Sequence, residues 1–156
     1  MLIIPKIAPI SLTQAKTSIQ TLLAQSVMLE IATENWPGTG AVTTGGELLP
    51  RVTANLAHDG SGLLVFFRVR ENGVRAVAAQ SNEPVYQDSC VEIFIKPEAA
   101  PVGYYNFEFN CVGTCLNFFG SDRNQRTPNS PETIASIFRE SSLGSKAFGS
   151  RPGVID

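Results

Sequence analysis

With 156 residues, 43% of them hydrophobic, the chain has the size and composition of one globular domain that buries its own core without disulfide staples. Twelve basic against fourteen acidic residues leave a net charge of -2, with no basic surplus for nucleic acid and no acidic run of the kind that forms a disordered tail. No apolar run approaches membrane-spanning length, and Pro5 and Pro9 interrupt an apolar start whose first lysine, Lys6, comes too late for a signal peptide. Nucleic acid and membrane are therefore set aside as partners, and the cytoplasm is the expected compartment.

In chain order, Ser11 is placed to cap a helix over about residues 12 to 25, with Leu12, Ala15, Ile19, Leu22 and Leu23 on one face. "VMLEIAT" reads as a strand, and "ENWPGTGAVTTGGELLP" as a loop dense in Gly, Pro and Thr. From residue 50 the pattern is β. "RVTANLAHDG" is a strand entering an Asp-Gly turn, and "LLVFFRVREN" alternates Leu63, Val65, Phe67 and Val69 against Arg68 and Arg70. "GVRAVAAQ" follows as a short strand. "DSCVEIFI" and "YYNFEFNCVGTCLNFF" come next, separated by the loop "KPEAAPVG", and "TIASIFRESS" reads as a further strand. At "FGSRPGVID" a turn leads into what reads as a new strand, so residues 1–156 are expected to form one domain lacking its C-terminal strands. Short strands, frequent turn residues and one short N-terminal helix predict an all-β fold, an antiparallel β-sandwich of immunoglobulin or jelly-roll type.

The stretch "VYQDSCVEIFIKPEAAPVGYYNFEFN" carries acids where a strand should carry apolar residues. Side chains alternate along a strand, so Val91, Ile93 and Ile95 share one face, and Asp88, Cys90, Glu92 and Phe94 the other. On the second strand Tyr105, Phe107 and Phe109 form the apolar set, and Tyr104, Asn106, Glu108 and Asn110 the polar set. A symmetric loop sets Glu92 opposite Glu108, Cys90 opposite Asn110 and Phe94 opposite Asn106, joining the polar sets into one surface. Two carboxylates so placed have Cβ atoms about 5 Å apart and repel. A cation such as calcium, an arginine from among Arg68, Arg70 and Arg75, or a ligand whose hydroxyls bridge the acids would compensate them; a solvated face with a slipped register is the bland alternative. A carboxylate pair at that spacing also suits a retaining glycosidase, with Glu92 and Glu108 as the pair, although nothing in the sequence supplies a cleft or separates their environments.

Other chemistry is sparser. His58 is the single histidine, which excludes a multi-histidine metal site. Cys90, Cys111 and Cys115 are an odd number and read as reduced thiols. Cys111 and Cys115 would stand about 13 Å apart on a regular strand, too far to share a metal unless Gly113 breaks it. Trp36 in "NWPG" reads as a core plug rather than a sugar platform.

"NEPVYQDSCVEIFIKP" followed by "YYNFEFNCVGT" resembles the family 9 carbohydrate-binding modules, in particular their stand-alone branch with DOMON-like β-sandwich folds. The likeness runs back through "NWP", "LAHDG" and "FRVRENGVRAVA" and forward to "FGSDRNQR", over roughly residues 30 to 145. The resemblance implies a noncatalytic module that binds a mono- or oligosaccharide, typically at a chain end, in association with carbohydrate catabolism. Any glycosidase activity would belong to a partner or fused domain. It also implies calcium as a structural ion, with Asp88 the candidate ligand here. Carried onto this chain, the sugar-binding residues are Glu92, Glu108 and Asn110, flanked by Tyr104 and Asn106, with Tyr86 nearest to the family's aromatic platform. The family's platform tryptophan is missing, and Glu108 stands where its sugar-binding members carry a basic residue. Related sandwiches hold haem between Met and His, for which Met28 and His58 are the available pair; haem binding with electron transfer is therefore the alternative, beside glycoside hydrolysis.

Overall fold

The computed structural model describes residues 3–9, 19–31, 50–98 and 102–152. The expected helix start at Ser11, Trp36 with its loop, and the last residues of "FGSRPGVID" lie outside them. The regular structure of the described chain is mostly antiparallel β-strand with two short helices, the all-β sandwich class expected. It divides into two compact units.

The first unit holds helix α1 (Ile19–Gln25) and a three-stranded sheet, β1 (Val27–Ile31), β2 (Arg51–His58) and β3 (Leu63–Arg70), in that order. Register sets Ala54 against Phe67 and Leu56 against Val65, so the alternating apolar residues of "LLVFFRV" meet those of β2 on one face. On the other face the Arg68 guanidinium lies over the Phe66 ring. The β2–β3 turn forms as the Asp-Gly signal predicts. Asp59 Oδ1 accepts from the Ser61 and Gly62 amides and the Ser61 hydroxyl, and Gly60 takes φ +95°, which only glycine adopts without strain.

The second unit spans residues 73 to 152. Strand β4 (Gly73–Ala76) pairs with β9 (Phe148–Pro152), and β5 (Cys90–Ile95), β6 (Tyr104–Asn110), β7 (Cys115–Gly120) and β8 (Arg126–Pro128) form a four-stranded meander. "YYNFEFNCVGTCLNFF" is thus two strands. Gly113 breaks it at φ +82°, its amide bonding the Asn110 carbonyl, and Phe109 comes to lie opposite Cys115. "TIASIFRESS" is not a strand: Pro131–Ala135 is a helical turn, α2, because Ser130 accepts from the Thr133 amide as its N-cap and Pro131 starts it with a preset φ. Ile134 from that turn is fully buried.

One face of the meander packs on the segment that precedes it. Leu116 and Phe118 meet Ala78 and Val85, the latter opening a 3-10 turn at Val85–Gln87. The opposite face carries a ladder of rings: Phe107 stacks on Tyr105 and Phe109, and Tyr105 leans on Phe119 across the strand pair at 4.6 Å. Asn82, held at φ 65°, staples the preceding segment to β7. Its side-chain oxygen accepts from the Asn117 amide, and its side-chain nitrogen donates to the Asn129 carbonyl.

Candidate functional site

The β5–β6 register has Cys90 opposite Asn110, Glu92 opposite Glu108 and Phe94 opposite Asn106, as strand alternation predicts. The neighbouring pairings extend the same face across the sheet: Leu116 beside Glu108, Phe118 beside Asn106, and Pro128 beside Phe118. Gly120 pairs with both Tyr104 and Arg126, so Arg126 belongs to this face as well. The face is not a solvated one. Asn106, Glu108 and Asn110 are all buried, while Glu92 and Phe94 on the edge strand are exposed.

At its centre the Asn106 amide nitrogen donates to Glu92 Oε1 and, at 3.2 Å, to Glu108 Oε1. Burial, and then the charge of Glu108 and a hydrogen bond with it, push the Glu92 carboxyl above its ordinary 4.5; Arg126 and the Asn106 amide pull the other way. The facing acids are therefore eased by a bridging amide and one guanidinium, which also lies 5.8 Å over the Phe118 ring. The compensating cation is Arg126, from a strand the sequence reading did not separate, whereas Arg68 sits over Phe66. Two acceptors of this cluster, Asn106 Oδ1 and Glu108 Oε2, are buried with no donor among the described residues. A buried acceptor left unpaired costs about 1–3 kcal/mol, so the cluster is short of donors.

Aromatic surface adjoins it. Tyr104 meets Phe94 edge to face, with centroids 5.7 Å apart, and Phe94 is 55% exposed. Tyr86, the position expected to replace the platform tryptophan, is 63% exposed in the 3-10 turn beside β6. Phe94, Phe118 and Arg126 were not singled out as site residues. Extending the alternation past the Gly113 turn would have found Phe118, but only the β7–β8 register reveals Arg126.

Asn110 and Asp88 serve the scaffold. Asn110 Oδ1 accepts from the Val112 and Thr114 amides and closes the β6–β7 turn, while its nitrogen donates to the Ala78 carbonyl and to Asp88 Oδ2, both at 3.0 Å. Asp88 Oδ2 also takes the Ala78 amide at 2.9 Å, and Oδ1 takes the Val77 amide at 2.9 Å and Arg75 Nε at 3.3 Å. Burial alone would raise the Asp88 pKa, but these donors together hold it below its ordinary 3.8. Surrounded by N–H groups rather than oxygens, Asp88 does not fit a calcium ion, which takes six to eight oxygen ligands. Among the described residues no group of three or more His, Cys, Asp and Glu side chains is arranged to hold a metal.

The geometry favours neither alternative chemistry. Met28 pairs with Asn55, three residues from His58, so the two lie on opposite faces of their sheet and cannot grip one haem. The Asn106 amide nitrogen bridges Glu92 and Glu108, whereas a retaining glycosidase holds its pair about 5 Å apart with the reacting carbon between them. No disulfide joins Cys90, Cys111 and Cys115. Among the described residues no helix is long and apolar enough to cross a membrane.

With this geometry in view, comparison with known proteins is specific. The model of carbohydrate-binding family 9 matches residues 21–156. Among solved structures, a candidate carbohydrate-binding protein from Bacteroides uniformis superposes with a TM-score of 0.82 at 29% identity, over 98% of this chain and 67% of that one. No curated protein matches the sequence.

Proposed function

The chain belongs to carbohydrate-binding family 9, and from that premise we propose that it binds a mono- or oligosaccharide, without catalysis, on the β5–β8 face through Glu92, Asn106 and Glu108. The observation that carries this reading is the union on one face of a donor-poor acceptor cluster with the Phe94–Tyr104 ring pair. Sugar hydroxyls donate to the exposed Glu92 carboxylate at the edge of the cluster, and the C–H face of a pyranose packs on an aromatic ring. Glu92, on the exposed edge strand, is the carboxylate a sugar reaches first. Phe94 and Tyr104 offer the stacking surface, with Tyr86 as a second, more distant one; Asn110 acts by holding the β6–β7 turn and Asp88 by holding the segment before β5. The Bacteroides uniformis neighbour, by its description, supports a carbohydrate ligand. A role in carbohydrate catabolism, and a cytoplasmic location, accompany this proposal.

Titration calorimetry of the full chain against a panel of mono- and oligosaccharides tests it. Glu92→Ala should weaken binding by about tenfold or more, the loss of one or two charge-assisted hydrogen bonds, with the thermal midpoint nearly unchanged. Phe94→Ala should weaken it by a smaller factor. Wild-type affinity in both variants would place the sugar elsewhere.

A further inference from the structure

At the turn end of the meander, a cavity of about 200 Å³ opens between the β6–β7 turn, the segment before the 3-10 turn and the chain following α2. Ser81, Gly113, Thr114, Cys115, Arg139 and Ser145 line it, and among the described residues no acidic side chain does. Thr114 lies beyond Asn110, two residues along β6 from Glu108 and four from Asn106, so the cavity begins roughly 7 Å of strand from the nearer end of the acceptor cluster, and the Glu108 charge acts on Cys115 in its wall.

Its chemistry is the reverse of that cluster's. Arg139 has no carboxylate partner among the described residues; its side chain reaches inward to the buried Cys115 thiol. Three hydroxyl-bearing residues, Ser81, Thr114 and Ser145, line the cavity beside it. The arginine is not an accident of a loose surface loop: the Ser141 hydroxyl donates to the Cys111 carbonyl and accepts the Leu143 amide, binding this segment to the β6–β7 turn. Gly113, at φ +82°, brings the turn within van der Waals reach of Arg139, where a Cβ would stand 3.7 Å from the Arg139 Cβ. A guanidinium fork beside convergent hydroxyls is the donor set that oxyanions take. Cys115 is no nucleophile here, because burial pushes its thiol up to about 11, so the site is one for binding.

We propose that this cavity is a second, noncovalent binding site that takes a compact oxyanion, a carboxylate or a phosphate, on Arg139 with Ser81, Thr114 and Ser145. The cavity of about 200 Å³ has room for roughly six or seven waters at about 30 Å³ each, and so holds such a group together with several waters. Either a free anion or the acidic substituent of a larger molecule would present this chemistry.

Amide-resolved NMR of the full chain, titrated with inorganic phosphate, with acetate, and with sodium chloride at matched ionic strength, tests the site. Phosphate or acetate should shift the Gly113, Thr114 and Ser81 amides in a saturable way that chloride does not reproduce, and the stronger of the two identifies the anion class. Arg139→Gln should weaken that response by about tenfold or more, and Thr114→Val, which keeps the volume, by less. Wild-type-like spectra of both variants away from the turn certify their folding; should Arg139→Gln misfold, Thr114→Val with Ser81→Ala carries the test. No shift beyond that of chloride, shifts spread over surface arginines, or an undiminished response in these variants would overturn the proposal.

Discussion

Replacing Asp88 by alanine separates a scaffold carboxylate from a metal ligand. The Asp88 side chain is 2% exposed and takes four donors: the Val77 and Ala78 amides, Asn110 Nδ2 and Arg75 Nε. Val77 and Arg75 are exposed enough for water to replace the carboxylate, so their share is small. The Ala78 amide and one Asn110 N–H belong to buried residues and would be orphaned, at about 1–3 kcal/mol each. The loss is therefore about 2–6 kcal/mol, against a total stability of about 5–15 kcal/mol. At about 2–4 °C per kcal/mol for a chain of this length, the melting midpoint should fall by on the order of 10 °C in scanning calorimetry. Asp88→Asn should fall nearly as far, because its NH₂ group would face N–H donors. Neither calcium nor a chelator should move the wild-type midpoint through this residue. A fall of a degree or two, or a chelator effect on the wild type equal to that of the substitution, would refute the reasoning.

Three further predictions follow from the same geometry. Because the folded-state pKa of Glu92 is raised, the folded protein holds its proton more tightly than the unfolded chain, so its contribution is favourable below 4.5 and is lost as pH rises through the folded value. Glu108→Gln, which removes the facing charge, should flatten that decline in urea unfolding measured across pH; an unchanged slope would show that the two acids do not interact. Asp88 works in the opposite sense, its stabilisation present above 3.8 and lost as pH falls through its depressed value, so Asp88→Ala should abolish the acid-side loss. Cys115, buried and with its thiol pushed up to about 11, should resist alkylation at neutral pH until the protein unfolds, well after exposed Cys90 has reacted; equal rates by mass spectrometry would contradict its burial.

How far the sequence shows this arrangement depends on the range of the interactions. The β5–β6 face is legible because alternation is local: once Glu92 and Glu108 fall on the polar side of their strands, a symmetric loop puts them opposite each other, and it does. Its burial is not legible, since polar residues at alternate positions suggest a wet face, and only the packing of Ala78 and Val85 on Leu116 and Phe118 shows otherwise. The short helix α2 was missed because "TIASIF" has strand-like composition, and the deciding residues, Ser130 and Pro131, precede it. Asp88 reads as a calcium candidate in the sequence because its four donors come from residues ten to twenty-two positions away, in neither strand-periodic nor helix-periodic spacing. Arg126 was hidden for the same kind of reason: its place on the face depends on two successive strand registers.

The most direct test of the account is a map of sugar contact on the folded chain. In amide-resolved NMR with the tightest-binding sugar of the calorimetric panel, the account predicts that shifts concentrate at Glu92, Phe94, Tyr104, Asn106 and Phe118 and are lost in Glu92→Ala. Shifts centred instead on the Phe107 and Phe109 face, or on the three-stranded sheet with the Glu92 region silent, would contradict it.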